Sequence, residues 1–276
     1  MNNIIWLKQG AALIQEINST DTESVQIWYI GQMGLFLRYK GLTICIDPVL
    51  TDLTDTNGQT RRNYKPPFSP EEAPHIDYLL CSHNHADHMN FDTILPIYQS
   101  NPDIRFIIPA PLKEELTSRG IKSSNIIYAR EKVSINCMKM QVYPIAAAHE
   151  DYITDRNGDY TCMGYILDFE GTRLYHAGDT MLTKKLENDL REYSPISMAF
   201  LPINGYGKPN LVGNMNYAEA AGFASRLAFR TTVPMHYDMI MGNTEDPALF
   251  AKELHKLAPD ADIHVPILGE SFTTND

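Results

Sequence analysis

The sequence lacks the features that mark secreted, membrane and disulfide-stabilised proteins. Its four cysteines are scattered and form no CxxC pair, which fits free thiols in a reducing compartment. No apolar run approaches the roughly 20 residues that a membrane-spanning helix needs. The first twenty residues have neither the basic start nor the long apolar core of a secretory signal. We therefore expect a cytoplasmic protein that does not enter or bind a membrane.

The chain also has too few basic residues for a nucleic-acid surface. It carries 23 Lys and Arg against 34 Asp and Glu, a formal net charge of −11, whereas nucleic-acid-binding proteins present a basic stripe. With 276 residues, 43% of them hydrophobic, it can bury a sizeable core. No repeat, low-complexity tract or linker divides it. We predict a single domain spanning residues 1–276 that does not bind nucleic acid.

The order of the predicted elements is strand-rich, then helical, then strand-rich and helical again. A helix over residues 4–17 precedes three strands between 24 and 48, and a buried strand over 75–83 follows a long polar connection. Strands return after Lys132, and a closing strand is predicted over 262–273. This order predicts an α+β fold in which two sheets are sandwiched between helices.

The stretch from residue 83 to residue 88 combines three histidines and an aspartate. His83, His85, Asp87 and His88 form the pattern H-x-H-x-D-H directly after the buried strand. Imidazole nitrogens and carboxylate oxygens are ligands of divalent metals. The alternative is a solvated, histidine-rich loop, but only 9 of 276 residues are histidine, and burying such groups unpaired is costly. The pattern predicts a metal site.

Four residues cannot complete two metal sites, so further ligands are expected downstream. His149, Asp179 and His236 each follow a strand-like run, where a side chain can project from a sheet edge. Gly178 permits a sharp turn before Asp179, whose carboxylate can bridge two ions. A surface histidine or a turn aspartate is the alternative at these positions. His176, in contrast, is predicted to lie in the core or behind the ligands.

Four motifs in this order resemble the metallo-β-lactamase-fold hydrolases: H-x-H-x-D-H, "AAAHE", "YHAGDT" and "VPMHYD". The resemblance implies a four-layer αββα sandwich of two mixed β-sheets flanked by helices, with two divalent ions at one edge. Zinc and manganese suit such ligands, and iron is also compatible. Carried over by position, the resemblance implies three sets of ligands: His83, His85 and His149 for one ion, Asp87, His88 and His236 for the other, and Asp179 for both.

Three further stretches look most like the L-ascorbate-6-phosphate lactonase branch of that superfamily: "GLTICIDPVLTD", "LPINGYG" and "NMNYAEAAGFA". Asn84 departs from it, since many relatives carry aspartate there. The resemblance implies a small anionic substrate, a lactone or ester such as L-ascorbate 6-phosphate, and a homo-oligomer. Two ions lower the pKa of a shared water toward about 7, and Asp87 is expected to hold that nucleophile and carry its proton.

Contacts with the substrate are predicted from charge and position. Arg61, Arg62 and Lys65 cluster in the long connection over 49–75, where guanidinium groups can bind phosphate or carboxylate. An exposed polar loop is the alternative. Asn204 and Tyr206, in the "PINGYG" loop, are predicted to line the pocket. Asp47, at the end of a strand, either orients a ligand histidine or caps the strand.

Three other functions remain open at this stage. A phosphodiesterase acting on a phospholipid or nucleotide is one, because phospholipases that cleave N-acylated phosphatidylethanolamine look similar across these motifs. A di-iron redox protein is another, although such proteins favour a glutamate where this chain has His85. A metal-binding module without catalysis is the third, and the complete set of seven candidate ligands argues against it.

Overall fold

Fourteen strands and six α-helices occur in the part of the chain that the computed structural model describes, residues 6–205 and 213–274. The strands are β1 Gln26–Gly31, β2 Gly34–Tyr39, β3 Leu42–Ile46, β4 Tyr78–Leu80, β5 Arg105–Pro109, β6 Ile126–Ala129, β7 Ile135–Cys137, β8 Met140–Ala146, β9 Met163–Phe169, β10 Thr172–His176, β11 Met198–Pro202, β12 Thr231–Met235, β13 Asp262–Ile263 and β14 Ser271–Thr273. The helices are α1 Gly10–Ser19, α2 Phe91–Ser100, α3 Lys113–Thr117, α4 Lys184–Arg191, α5 Tyr217–Leu227 and α6 Pro247–Leu257.

The strands form two seven-stranded sheets of mixed direction. The first sheet has the order β14-β1-β2-β3-β4-β5-β6, antiparallel from β14 to β3 and parallel from β3 to β6. The second has the order β13-β12-β11-β10-β9-β8-β7, antiparallel from β7 to β10 and parallel from β10 to β13. Each sheet therefore begins as a meander and continues through crossover connections, which parallel strands require.

The strands alternate between two apolar environments, which defines the layers. In β3, Leu42, Ile44 and Ile46 pack in the cluster shared with the second sheet, whereas Cys45 packs among residues of α1 and α2. A third cluster joins the outer face of the second sheet to α4, α5 and α6. Because side chains alternate across a strand, each sheet has one face toward the other sheet and one toward helices. The predicted αββα sandwich is confirmed.

The helix that follows the second sheet's β11 begins at a capping box, as its sequence predicts. The Asn216 side chain accepts hydrogen bonds from the backbone N–H groups of Ala218 and Glu219, each at 2.9 Å, and the Glu219 carboxylate accepts from the N–H of Asn216 at 3.0 Å. These bonds satisfy donors that have no partner within the helix. They fix the start of α5, just beyond the loop that contains Asn204.

Two predicted elements differ from the structure. The helix predicted over residues 4–17 begins later, at Gly10, and ends at Ser19. Residues 4 and 5 lie outside the described residues. The single closing strand over 262–273 is two short strands, β13 in the second sheet and β14 in the first. Pro266 and Gly269, whose φ is +74°, lie between them, and both residue types interrupt a strand. None of the described helices is long and apolar enough to span a membrane.

Candidate metal centre

Four loops from both sheets bring the seven predicted ligands to one edge of the sandwich. The segment that contains His83, His85, Asp87 and His88 follows β4 of the first sheet. The other three ligands follow strands of the second sheet: His149 after β8, Asp179 after β10 and His236 directly after β12. Gly178 has a φ of +59°, as its predicted turn requires. The side chains form two groups in which the ligand atoms all lie within 4.8 Å of one another.

The first group comprises His83, His85, His149 and Asp179. His149 Nε2 lies 3.1 Å from His85 Nδ1 and 3.8 Å from Asp179 Oδ2. His83 Nε2 lies 4.0 Å from the same carboxylate oxygen. His83 and Asp179 are buried, while His85 is exposed at the site. One side of this group is therefore open to solvent and the other is enclosed.

The second group comprises Asp87, His88 and His236. The Nε2 atoms of His88 and His236 are 3.4 Å apart, and Asp87 Oδ2 lies 3.7 Å from the first and 3.5 Å from the second. Asp179 Oδ1 lies 3.2 Å from both Nε2 atoms. The two oxygens of Asp179 thus face different groups, which is the placement that a bridging ligand needs.

These distances fit a divalent ion in each group. Nitrogen and oxygen ligands about 2.0–2.2 Å from a tetrahedral ion lie roughly 3.3–3.6 Å from one another, and the distances above span 3.1–4.0 Å. Among the described residues, the buried His83 Nε2 has no hydrogen-bond partner. The buried Asp179 Oδ1 lies 3.2 Å from the Nε2 atoms of His88 and His236 but forms no well-aligned hydrogen bond with either. Unpartnered buried acceptors are costly, and a cation at their centre removes that cost.

The tautomers of the histidines also favour metal binding. His88 Nδ1 lies 2.8 Å from Asp47 Oδ2, and His149 Nδ1 lies 3.0 Å from the carbonyl oxygen of Gly213. Because a carboxylate and a carbonyl only accept, each Nδ1 must carry the proton and donate it. Each Nε2 is then the nitrogen directed into the site, where it can bind an ion in place of a proton, an arrangement typical of metal-ligating histidines.

Asp47 orients one candidate ligand in each group. Its carboxylate accepts from His88 Nδ1 and, at 2.6 Å, from the hydroxyl of Ser82, which lies 3.0 Å from His83 Nδ1. Burial raises the pKa of a carboxyl group, but the neighbouring His88 outweighs it and the pKa of Asp47 is lowered. Both predicted roles of Asp47 are present: Oδ2 contacts the candidate ligand His88, and Oδ1 caps the strand end by accepting from the Ser82 N–H at 2.8 Å.

We expect Asp47→Asn to weaken metal binding by about 10–100-fold, the usual cost of removing a partner that orients a ligand. The asparagine has nearly the same shape, but it is uncharged and its NH₂ group cannot accept the hydrogen bonds that the carboxylate accepts. Competition with a chromophoric chelator measures the dissociation constants. Asp77→Asn is the matched control. Asp77 accepts a hydrogen bond of 2.8 Å from the Thr43 N–H, and this pair is not part of the centre. Equal affinities in both variants and the original protein would contradict the assigned role.

The charges of the site favour a cation. Burial lowers the pKa of His83 and His85, so both rings are neutral near pH 7. Burial also lowers the pKa of His236, but Asp179 and Asp87 outweigh it and raise it to about 9. The same pairing lowers the pKa of both carboxyl groups despite their burial. Asp179, Asp87 and Asp47 likewise raise the pKa of His88 despite its burial. The two carboxylates of the site thus hold protons on His88 and His236 when no ion is bound, and a divalent ion would displace those protons.

A cavity of about 250 Å³ opens onto these groups. Five of the seven candidate ligands line it, and the rest of its described wall consists of Glu150, Asn204, Asn214, Ile240 and Asn243. Asn204 lies in the wall, as predicted, but Asn214 and Asn243 were missed. Asn214 Nδ2 donates to Asn204 Oδ1 at 3.1 Å, and Asn204 Nδ2 donates to Asn243 Oδ1 at 2.7 Å. The three amides form a hydrogen-bonded chain along one side.

The predicted basic contacts with the substrate are not part of the described wall. Arg62 is 4% exposed and donates to the carbonyl oxygens of Val49, Thr51 and Tyr64. Its guanidinium therefore ties the long connection together, because buried carbonyl groups need donors. The expectation that it binds substrate is corrected accordingly.

The other basic residues and Tyr206 are placed as follows. Arg61 is exposed and donates to the carbonyl of Met241 at 3.2 Å, and Lys65 is exposed with its carbonyl bonded to Trp6. Neither contributes to the described lining of the cavity. Tyr206 lies outside the described residues. His176 is buried and bonds through Nε2 to the Met33 carbonyl at 2.8 Å, so its predicted place in the core is confirmed.

The chain matches the family model described as "Beta-lactamase superfamily domain" over residues 43–237. A "UPF0173 metal-dependent hydrolase" of Lysinibacillus sphaericus is 30% identical over 250 residues, which cover 89% of this chain and 98% of that protein. An "N-acyl-phosphatidylethanolamine-hydrolyzing phospholipase D 1" of Caenorhabditis elegans is 24% identical over 271 residues, 90% of this chain and 73% of the relative.

Among solved structures, the metallo hydrolase Igni18 of Ignicoccus hospitalis superposes with a TM-score of 0.69 at 23% identity, covering 91% of this chain and 98% of that chain. This likeness supports the fold. The motifs around the two ligand groups lie largely inside the span that the family model matches. The chain therefore belongs to the beta-lactamase superfamily and, within it, to the UPF0173 metal-dependent hydrolases.

Proposed function

We propose that this metal-dependent hydrolase uses two divalent ions to cleave a small anionic lactone or ester. The observation that carries the proposal is the pair of ligand groups joined by Asp179, whose two oxygens face different groups. Two such ions, when bound, supply Lewis-acid polarisation and a water with a pKa near neutrality. His83, His85 and His149 would hold one of them, and Asp87, His88 and His236 the other.

Asp87 is the proposed acid–base residue. Its side chain is 18% exposed, whereas that of Asp179 is 5% exposed, and it lines the cavity. A carboxylate at the cavity surface can accept the proton that the nucleophilic water loses and pass it to the oxygen of the leaving group. Asp179 also lines the cavity, but it is the more enclosed of the two carboxylates, so we assign it the role of a ligand alone.

The wall of the cavity supports a small substrate rich in oxygen atoms. The amides of Asn204, Asn214 and Asn243 offer both donors and acceptors, which suit hydroxyl and carbonyl groups. Two ions would carry four positive charges against the negative charges of Asp87, Asp179 and Glu150, so the loaded site would attract an anion. L-Ascorbate 6-phosphate combines a lactone, hydroxyl groups and negative charge, and it is the representative substrate that we propose.

Phosphodiester cleavage is the second candidate, and the similarity to the phospholipase D of C. elegans favours it. A cavity of about 250 Å³ lies below the range typical of pockets that enclose drug-sized ligands. It has room for a phosphodiester group, and the acyl chains of a phospholipid would have to extend outside it. A nucleotide or head-group fragment is therefore the better candidate of this class.

A substrate panel separates the two candidates. Metal-free protein is reloaded with zinc or with manganese and given L-ascorbate 6-phosphate, an uncharged lactone, a small phosphodiester and N-acylated phosphatidylethanolamine in micelles. We expect ring opening of the anionic lactone to be fastest, with no turnover by His85→Ala. His255→Ala, which removes an exposed histidine of α6, is the control. Hydrolysis of either phosphodiester, with no hydrolysis of the lactones, would replace the first candidate by the second.

A further inference from the structure

Gln32 occupies a backbone conformation that its side chain makes unfavourable. It is the first of the two residues that connect β1 to β2, and its φ is +56°. It is fully buried. Glycine is the residue that such a turn position favours, and strained residues persist where the surrounding structure holds them, commonly at functional sites. The side chain of Gln32 must therefore offset a cost that glycine would avoid.

The side chain and the backbone of Gln32 both contact the second ligand group. Its Nε2 donates to Asp87 Oδ2 at 2.8 Å and lies 3.1 Å from His236 Nε2. Its carbonyl oxygen accepts from the N–H of His236 at 3.1 Å. One residue of the first sheet thus holds two candidate ligands that come from different sheets.

We propose that Gln32 is a positioning residue for the second metal, fixing Asp87 through the hydrogen bond to Oδ2. The inference rests on the proposed function, because it assigns a role toward the ion that Asp87, His88 and His236 would hold. A carboxylate oxygen has two lone pairs. When the Gln32 amide donates to one lone pair of Asp87 Oδ2, the second lone pair is directed toward the ring nitrogens of His88 and His236. An uncharged donor suits this place, since a cationic one would compete with the metal.

Direct binding of the metal through Gln32 Oε1 is the other arrangement that this geometry allows, after rotation of the amide. The contacts favour the positioning role. An ionised carboxylate only accepts, so the atom 2.8 Å from Asp87 Oδ2 is the NH₂ group, and Oε1 is then directed away from Asp87. The two arrangements respond oppositely to a glutamate at position 32.

The test compares Gln32→Glu and Gln32→Met, which keep the approximate size of the side chain. Gln59→Glu, at an exposed position of a hairpin loop, controls for the added negative charge. Metal content is counted after gel filtration, chelator competition gives the dissociation constant of each ion, and the visible spectrum of cobalt-loaded protein reports on coordination. Thermal unfolding of the metal-free forms checks that each variant is folded.

We expect both Gln32 variants to bind one ion normally and the other about 10–100-fold more weakly, with an altered cobalt spectrum. The glutamate variant should be at least as impaired as the methionine variant, because its carboxylate repels Asp87. Normal or tighter metal binding by Gln32→Glu, together with weaker binding by Gln32→Met, would overturn the positioning role in favour of direct ligation. Normal affinity in both variants would leave Gln32 a purely structural residue and overturn the inference. Failure of the original protein to bind two ions would instead overturn the proposed function.

Discussion

Replacement of Asp179 by alanine is expected to release at least one metal ion and to reduce kcat/KM by more than about 100-fold. Loss of a residue that only orients a ligand costs about 10–100-fold, and Asp179 faces both groups, with Oδ1 3.2 Å from His88 Nε2 and Oδ2 3.8 Å from His149 Nε2. Removing it leaves the two remaining sets of ligands without a shared anion. Elemental analysis of the protein after gel filtration and steady-state kinetics on the best substrate of the panel measure the two effects.

The control for this prediction is Asp103→Ala, which removes a carboxylate from an exposed turn. That variant should keep two ions and full activity, which excludes a general effect of reduced negative charge. The fold of Asp179→Ala should persist, since the inter-sheet core is built from apolar side chains elsewhere. Two tightly bound ions together with full activity in Asp179→Ala would show that the ligand assignment is wrong.

Gly31→Ala is expected to destabilise the protein by about 2–5 kcal/mol. The φ of Gly31 is +99°, a conformation that side chains rarely adopt, and a Cβ at this position would lie 2.4 Å from the hydroxyl oxygen of Tyr64 and 3.3 Å from its Cε2 atom. Overpacking of a core costs about 1–3 kcal/mol, and a left-handed conformation costs about 1–2 kcal/mol more for alanine. Equilibrium unfolding in urea measures the loss as a lower midpoint.

The double variant Gly31→Ala with Tyr64→Phe tests the cause of this loss. Removing the hydroxyl eliminates the closest contact but not the backbone strain, so about half of the lost stability should return. Tyr64→Phe alone supplies the reference for a double-mutant cycle. Strictly additive effects of the two substitutions would show that the hydroxyl of Tyr64 is not what excludes a side chain at Gly31.

The sequence predicts which residues come together at the candidate metal centre, because their signal is local and chemically unusual. His83, His85 and His88 lie within six positions, and the remaining ligands each follow an apolar strand. The strands β8, β10 and β12 run in the same direction with one strand between each pair, and β4 belongs to the other sheet. The convergence therefore also depends on how the two sheets pack, which the order of elements does not give. The pairing of Asp47 with His88 was open in the sequence, because a carboxylate at a strand end caps backbone groups equally well.

The wall of the cavity could not be predicted in the same way. Asn214 and Asn243 lie in loops, where asparagine is common for reasons of turn geometry, and only their proximity to Asn204 gives them a role. The positive charge of Arg62 predicts an affinity for anions, but it does not predict which way the side chain points. Three backbone carbonyls that come together only in the folded chain decide that direction.

The position of β14 at the edge of the first sheet has a consequence for how the chain is synthesised. Gln26 of β1 pairs with Thr273 of β14, so the outer edge of β1 stays unpaired until the residues up to β14 have left the ribosome. At about 5–20 residues per second, this interval is on the order of ten to fifty seconds. During it, the segment "QIWYIG" presents an apolar edge that other chains can pair with. Among the described strands, the one made last thus protects the one made first from aggregation.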